Sequence, residues 1–513
     1  MIFIRKTLPF LLLAFVLSVV VRLPQLNRPL SKHHEFCTAI SLRVLQIWYD
    51  QGITTYQGNP VMTYPGNSNK YINNHANASG KMLDADGNFY YVSHPPFAYY
   101  FPYAVFKLLH IRPDVLPLQL LNMLLHFITA LFVYFTVAVL SFKGARSYLY
   151  VPAYVAYVIY LFLPATLWFQ GNVYMSDMAV QVPFVIGVYI ALKMIIRRKF
   201  YVPKYIFFYL LNLILLLYTS WLGFFYAIGI IIYSLLHVRD DKGFRVLLGA
   251  TFGSLFLVLQ LITYQYSSIN GPEAYLSEIF NRYLIRGSVG VRHEGFWSFF
   301  FSYFVYLKNI IYNYLVNYLP FYILLIAFIY IGATRAKLKI VFSENGYRFI
   351  WLSVLPIVLL HLVFLNYSSQ DFTVLYASLF FSVLFGIFYD KIKKSGAFTP
   401  RQVNAAVLLT ILVLIAQYEI ANKPGTISIY GYRYADEKEW GEAIAQHVAP
   451  EVLVMSTVEP SPQMVWYAGR NIKWVRSRQE ATSFAAQRSE EYAVVVSGFP
   501  KEKITFEEIS LKK

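Results

Sequence analysis

The chain is poor in charge, in acidic residues and in cysteine. Only 14% of its 513 residues are Asp, Glu, Lys or Arg, against roughly 25% in soluble domains. A single cysteine, Cys37, excludes an intramolecular disulfide. No repeated ten-residue alternation of apolar and polar positions is present, which excludes a transmembrane β-barrel. No glycine-rich phosphate loop follows a strand in the C-terminal tail, and no His-Glu-x-x-His spacing occurs. What the chain does have is apolar: 57% hydrophobic and 19% aromatic residues, with 44 Tyr and 43 Phe. The fold class is an all-α polytopic membrane protein.

The net charge of +17 suits a nucleic-acid partner only until the charges are placed. Apolar runs predict eleven spans near 7–23, 117–140, 149–169, 178–194, 205–219, 222–236, 246–264, 315–332, 349–365, 372–389 and 403–420. Several lie near the lower limit of roughly 17 residues for a spanning helix. The first could pass for a secretory signal, but Val21-Arg22-Leu23-Pro24 is a poor cleavage site, so it is read as a retained span. With the N-terminus inside, Arg197, Arg198, Lys199, Arg239, Lys242, Lys393 and Lys394 fall on the cytoplasmic side. The short outer segments around 170–177, 220 and 366–371 hold no Lys or Arg. The excess charge is therefore positive-inside topology, with no nucleic-acid partner. Phe97–Leu109 is apolar but short, and counting it as a span would invert that bias. It is expected to lie in the membrane interface, opened by Pro95-Pro96.

This topology leaves two long outer segments, 24–116 and 265–314, within a transmembrane module spanning 1–420. Residues 421–513 are expected to form a small extracytoplasmic α/β domain. Helical spacing covers Glu437–Val448, Pro462–Ala468 and Ala481–Arg488. Strand patterns cover Val452–Ser456, Ile472–Val475, Tyr492–Ser497 and Ile504–Ile509. The tail carries no catalytic constellation and is read as a cap or docking module.

Candidate chemistry collects on the outer side. His33-His34-Glu35 precedes a helical run at Phe36, Ile40, Val44 and Ile47. Glu35 could cap that helix or act as a general base beside a histidine. Asp177, in Met175-Ser176-Asp177-Met178, opens a span. It is either an N-cap or a functional charge at the edge of hydrocarbon. Arg282 and Arg286 are four apart and share a helix face, and Arg292 follows. They either snorkel or present guanidinium forks to a phosphate. Asp371 is expected to cap a span. A divalent ion is conceivable from His33, His34, Glu35, His94, His293 and Glu294.

Three of these motifs, in order, resemble those of GT-C glycosyltransferases of the protein O-mannosyltransferase and lipid A aminoarabinose transferase (ArnT-like) type. His34-Glu35 stands where that family has Asp-Glu. His94-Pro95-Pro96-Phe97-Ala98-Tyr99 matches its Pro-Pro-Leu-Tyr-like motif, and Ser176-Asp177-Met178 its Leu-Pro-Asp-Met-like motif. Order and spacing agree over about residues 1–195; beyond that the likeness is one of topology. The resemblance implies a GT-C fold and a donor sugar on a polyprenyl phosphate. It implies transfer with inversion to a hydroxyl of a lipid, glycan or protein acceptor at the outer face of a bacterial cytoplasmic (inner) membrane. Carried across by position, Glu35, His34 and Asp177 become the catalytic candidates. His94, Arg282, Arg286 and Arg292 are the candidates for the donor phosphate. Because His34 replaces the family's first acid, either His34 or Glu35 would take the proton. Two other readings share the topology: a flippase or transporter of lipid-linked sugar, and a ligase or polymerase using a lipid-diphosphate donor. A flippase favours ionisable residues inside spans. Glu419, the main intramembrane carboxylate, lies close to a span end.

Overall fold

The computed structural model describes residues 2–73, 80–141, 150–239, 241–287, 296–335, 343–422, 436–488, 490, 492–498 and 504–510. Each of the eleven apolar runs forms helix. Among the described residues eight helices are long and apolar enough to cross a membrane. A bent pair makes a ninth, and two shorter apolar helices cover the remaining runs. The chain is a multi-pass integral membrane protein.

Helix α1 (Ile2–Arg22) leads into the first outer segment, which is structured rather than irregular. It holds α2 (Glu35–Gln51), a short hairpin of β1 (Lys81–Leu83) and β2 (Phe89–Tyr91), and α3 (Phe97–Leu109). At 13 residues α3 is too short to span. It buries Ala98, Tyr99, Pro102 and Phe106 while Leu108 and Leu109 stay exposed. Its first turn is pinned by the Phe97 N–H donating to the Tyr218 carbonyl at 3.0 Å.

Helix α4 (Val115–Ser141) begins the central bundle. The next crossing is two helices, α5 (Val151–Phe162) and α6 (Pro164–Asn172), bent by 59°. Pro164 causes the break: the residue before proline is driven out of the helical region, and Leu163 is extended (φ −58°, ψ 131°). The bend carries the outer end of α6 back under the first outer segment. A one-turn helix α7 (Ser176–Ala179) then opens α8 (Gln181–Arg197). Together they run 22 residues, about 33 Å, so Asp177 and the basic Arg197 lie at opposite ends. Helices α9 (Pro203–Leu217) and α10 (Trp221–His237) follow.

The second outer segment is also largely helical. Helix α11 (Gly243–Arg286) continues past its span through a sharp turn at Asn270 (φ −154°) and Gly271 (φ 82°). Gly271 supplies the positive φ, and Pro272 restarts the helix where its missing N–H costs nothing. The second half of α11 packs against β1 and points Arg282 and Arg286 at the outer site. Helices α12 (Phe296–Arg335), α13 (Glu344–Val363) and α14 (Leu365–Ser368) follow, then a 3-10 stretch at Asp371–Ala377. Helices α15 (Ser378–Ser395) and α16 (Pro400–Asn422) complete the membrane part. Helix α15 meets α5 at Gly386, where a Cβ would lie 2.6 Å from the Pro152 carbonyl oxygen and 2.9 Å from the Ala156 Cβ.

The tail contains α17 (Asp436–His447), β3 (Leu453–Ser456), α18 (Pro462–Ala468), β4 (Lys473–Trp474), α19 (Arg478–Gln487), β5 (Tyr492–Ser497) and β6 (Thr505–Ser510). Its sheet runs β4-β3-β5-β6, with β3 parallel to both neighbours and β6 antiparallel to β5. The tail is fastened to the first outer segment. The Leu30 N–H donates to the Tyr467 hydroxyl at 2.9 Å, Gln463 Nε2 to the Ser31 carbonyl at 2.9 Å, and Asn471 binds both the backbone and the side chain of Asn69.

Candidate active site

Two cavities meet at the end of the bundle where the long segments after α1 and within α11 pack together. The larger, about 680 Å³, mixes charged and apolar side chains and lies beneath the tail. Its walls come from α2 (Phe36, Cys37, Ile40), the hairpin (Lys81, Tyr91), α11 (Arg282, Arg286) and the tail (Glu437, Glu459, Ser461, Gln463), with Ser176, Gln370 and Phe372 beside them. The smaller, about 480 Å³, is apolar and is lined by Trp221, Leu276, Ile279, Phe280, Tyr283 and Phe364. Leu276, Phe280 and Tyr283 are exposed, so this groove opens where lipid would be. His94, Arg282 and Arg286 line both.

That junction is built for an anion. Arg282 Nε donates to Ser93 Oγ at 2.6 Å. The Arg286 guanidinium sits 4.9 Å above the Tyr367 ring. The motif segment Ser93-His94 is locked from behind: Trp221 Nε1 donates to the Ser93 carbonyl at 2.9 Å, and the Tyr266 hydroxyl to the His94 carbonyl at 2.6 Å. Burial and the charges of Arg286 and Arg282 hold the His94 imidazole well below its ordinary range, so it is neutral. Its Nδ1 has no hydrogen-bond partner. Burial, Arg43 and Arg282 pull the Lys81 amine down to about 7. Lys81, Arg282 and Arg286 converge here, with Glu278 and Glu459 acting on Lys81 and Glu278 on Arg282, and fixed cations at a cavity mouth favour an anionic guest.

Asp177 lies directly beneath this junction, fully buried. It does not cap α7, whose N-cap is Met175 with no side-chain bond. Instead the hydroxyls of Tyr367 and Tyr376 both donate to its Oδ1. Its Oδ2 faces Ser176 Oγ at 3.4 Å, and Ser176 lines the cavity. The Asp177 charge reaches both Arg286 and the cavity-lining Cys37. Burial and that charge push the Cys37 thiol up.

The His33-His34-Glu35 cluster divides into two parts. Glu35 is fully buried and turned away from the cavity: its Oε2 accepts from Arg28 Nη1 at 2.8 Å and from the Ser31 N–H at 2.6 Å. It begins α2 but is not its cap; His34 is, in the left-handed region (φ 58°), without a side-chain cap bond. That conformation costs a non-glycine residue about 1–3 kcal/mol. It places two consecutive imidazoles on one side, with ring centroids 4.8 Å apart. Both meet Asp371: His33 Nε2 lies 2.8 Å from Oδ2 and His34 Nε2 lies 2.7 Å from Oδ1. Asp371 is therefore a histidine partner rather than the helix cap the sequence suggested.

These three residues fit a metal better than the set expected from sequence. Their donor atoms all lie within 4.8 Å of one another. Asp371 Oδ1 makes no aligned hydrogen bond despite its contact with His34. Two histidines and a carboxylate suit a first-row divalent ion. Of the other expected ligands, Glu35 binds Arg28 and His94 lies at the cavity junction. His293, Glu294 and the phosphate candidate Arg292 lie outside the described residues.

Sequence reasoning missed Lys81, Tyr91, Tyr367 and Tyr376, which come from the hairpin, α14 and the 3-10 stretch. Among so many tyrosines nothing local marks these three, and Lys81 opens a short strand beside Asp84 and Asp86, where it reads as an ordinary hairpin charge.

No protein-family model and no curated protein sequence matches the chain. Solved structures do. ArnT from Cupriavidus metallidurans bound to undecaprenyl phosphate superposes with a TM-score of 0.61 at 12% identity, over 96% of this chain and 93% of that one. The oligosaccharyltransferase of Archaeoglobus fulgidus in its apo form superposes at 0.58 and 12% identity, over 96% of this chain and 69% of that one. Its complex with Zn and sulfate gives 0.57 and 13%, over 95% and 67%. The chain therefore has the GT-C fold of these membrane glycosyltransferases over nearly its whole length.

Proposed function

We propose that the protein is a glycosyltransferase that moves a sugar from a polyprenyl-phosphate donor to an acceptor hydroxyl at the outer membrane face, with inversion. The observation that carries this reading is the junction of an apolar groove with a cavity holding several charged side chains, at Arg282, Arg286 and His94. Undecaprenyl phosphate, to which ArnT is bound in its solved structure, has the same two-part chemistry. The polyprenyl chain lies in the apolar groove, and the phosphate on the two guanidiniums with Lys81 beside them. The sugar projects into the larger cavity, and the acceptor enters beneath the tail.

Asp177 is the proposed general base. Tyr367 and Tyr376 fix one carboxylate oxygen, leaving Oδ2 toward the cavity wall at Ser176. As the acceptor oxygen bonds to the anomeric carbon, its proton passes to Asp177 and the anomeric carbon–oxygen bond to phosphate breaks. The leaving phosphate gains charge facing Arg282 and Arg286, where fixed cations lower the barrier most. Arg286 stacks on the tyrosine that holds Asp177, so phosphate and base are positioned by one contact chain. Glu35 is a positioning residue: with Arg28 it fixes the turn that carries His33 and His34.

His33, His34 and Asp371 are the residues that would hold a divalent ion. Such an ion supplies charge stabilisation and lowers the pKa of a bound hydroxyl. The test is incubation of purified protein with labelled polyprenyl-phosphate sugars and candidate acceptors. Asp177→Asn should slow transfer by about 10²- to 10⁴-fold while Glu35→Gln retains it. A flippase would instead move lipid-linked sugar across proteoliposomes without any acceptor.

A further inference from the structure

Arg43 takes no part in the chemistry above, yet it is the most anomalous charge in the protein. It lies in α2, 1% exposed. Among the described residues none of Nε, Nη1 or Nη2 has a hydrogen-bond partner. A guanidinium presents five donors and keeps its proton. Burial lowers its pKa only to about 10, so the charge is permanent at physiological pH. Tyr64 and Tyr99 act on it electrostatically. An uncompensated buried charge is strongly unfavourable, so a natural chain keeps one where something binds it.

Its position says what. Phe36, Cys37 and Ile40 of α2 line the larger cavity. Arg43 follows Ile40 by three and Phe36 by seven, one turn further along the same face, buried behind the cavity lining rather than part of it. Tyr99 lines the cavity as well. The Tyr64 hydroxyl is buried without a partner, a further donor at the same place. Lys81 feels the charges of both Arg282 and Arg43, so positive charge extends from the proposed phosphate site toward α2. Glu278 and Glu459 act on Lys81 too.

We propose that Arg43, Tyr64 and Tyr99 form a second oxyanion subsite, separate from the Arg282–Arg286 pair, that receives a carboxylate or phosphate group. That this group belongs to the transferred sugar or to the acceptor rests on the glycosyltransferase reading; the subsite itself does not. Occupancy gives the guanidinium its missing partners and sets a requirement for an acidic substituent on one substrate.

The probe is radiolabelled inorganic phosphate, dialysed to equilibrium against the full-length protein in nanodiscs. The wild type should bind two equivalents. Arg43→Met should lose one and keep the other, and Arg282→Met/Arg286→Met should lose the other. Equal binding by wild type and Arg43→Met overturns the proposal, as does a single equivalent that the Arg282/Arg286 variant abolishes. If Arg43→Met does not fold, Tyr64→Phe and Arg43→Lys serve: each should weaken one class of site by about tenfold, and unchanged affinity in both overturns the subsite. Transfer assays then identify the source. Arg43→Met should raise KM by about 10- to 100-fold for a uronic-acid donor over a neutral-hexose donor, or for an acidic acceptor over its ester. A uniform rise for all substrates contradicts oxyanion recognition. Dialysis requires no turnover, so failure of the subsite and failure of the transferase reading give different results.

Discussion

Replacing Arg286 is the sharpest perturbation of the donor site. Its guanidinium lies over Tyr367 and opens on both cavities. A hydrogen bond to a charged group is worth about 1.5–3 kcal/mol. Arg286→Met should therefore weaken polyprenyl-phosphate binding by about 2 kcal/mol, roughly 30-fold in Kd. Arg286→Lys keeps the charge but loses the fork and the ring stacking, so about 1 kcal/mol, roughly fivefold, is expected. Arg282 also positions Ser93, so the double Met variant should lose more than either single one, without strict additivity. Trp221 lines the groove, and its fluorescence reports lipid binding when compared with a Trp221→Phe control. Dephosphorylated polyprenol separates the phosphate from the chain: its weaker affinity should be the same in all variants. A double variant that binds polyprenyl phosphate within twofold of wild type would refute the reasoning. So would one that loses polyprenol equally.

Other perturbations test the remaining assignments. Lys81 titrates near 7, and an anion binds its protonated form, so donor affinity should fall as pH rises from 6 to 8. Lys81→Met should flatten that profile, while His94, already neutral, adds no slope in the window. The same depressed pKa means the unfolded chain holds more protons than the folded one between about 7 and the free amine's 10.5. Thermal stability should therefore rise with pH across that interval. Glu35→Ala removes the buried acceptor of Arg28 and the Ser31 N–H and should cost about 3–5 kcal/mol, read as a lowered Tm. Adding Zn or Mn should raise the Tm of wild type but not of Asp371→Asn. Equal shifts in both proteins remove the metal assignment. Cys37 borders the cavity with a raised thiol pKa. Maleimide should label it slowly, and slower still with donor bound.

Much of the fold was legible because hydrocarbon imposes length and charge rules on a chain. Runs of apolar residues located the spanning helices, and the placing of lysines and arginines supplies an expected orientation. Pro95-Pro96 marked the start of α3, and its 13 residues are too short to span. The site was legible only in part. Asp177 and the arginine pair stood out because charges beside apolar runs are rare. Glu35 drew attention by its position, yet sequence cannot distinguish a carboxylate facing a cavity from one facing Arg28. Asp371 looked like a cap because Ser-Gln-Asp before an apolar run fits one. Its two histidine partners lie 338 and 337 residues earlier in the chain, and only the packed bundle joins them. Tyr367 and Tyr376 are ordinary aromatic residues until Asp177 is placed between them. The helical second outer segment was masked by Gly271-Pro272, which reads as a loop and acts as a hinge between two helices.

The central claim is that Asp177 accepts the proton of an acceptor attacking a sugar on polyprenyl phosphate. The direct measurement is the rate at which polyprenyl phosphate is released from a saturating sugar-linked donor in the presence of acceptor, for wild type and Asp177→Asn. General-base catalysis contributes about 10²- to 10⁴-fold. The account predicts a loss of that size in Asp177→Asn, with donor Kd unchanged. Release at the wild-type rate by Asp177→Asn, or release by the wild type that does not depend on acceptor, would contradict it.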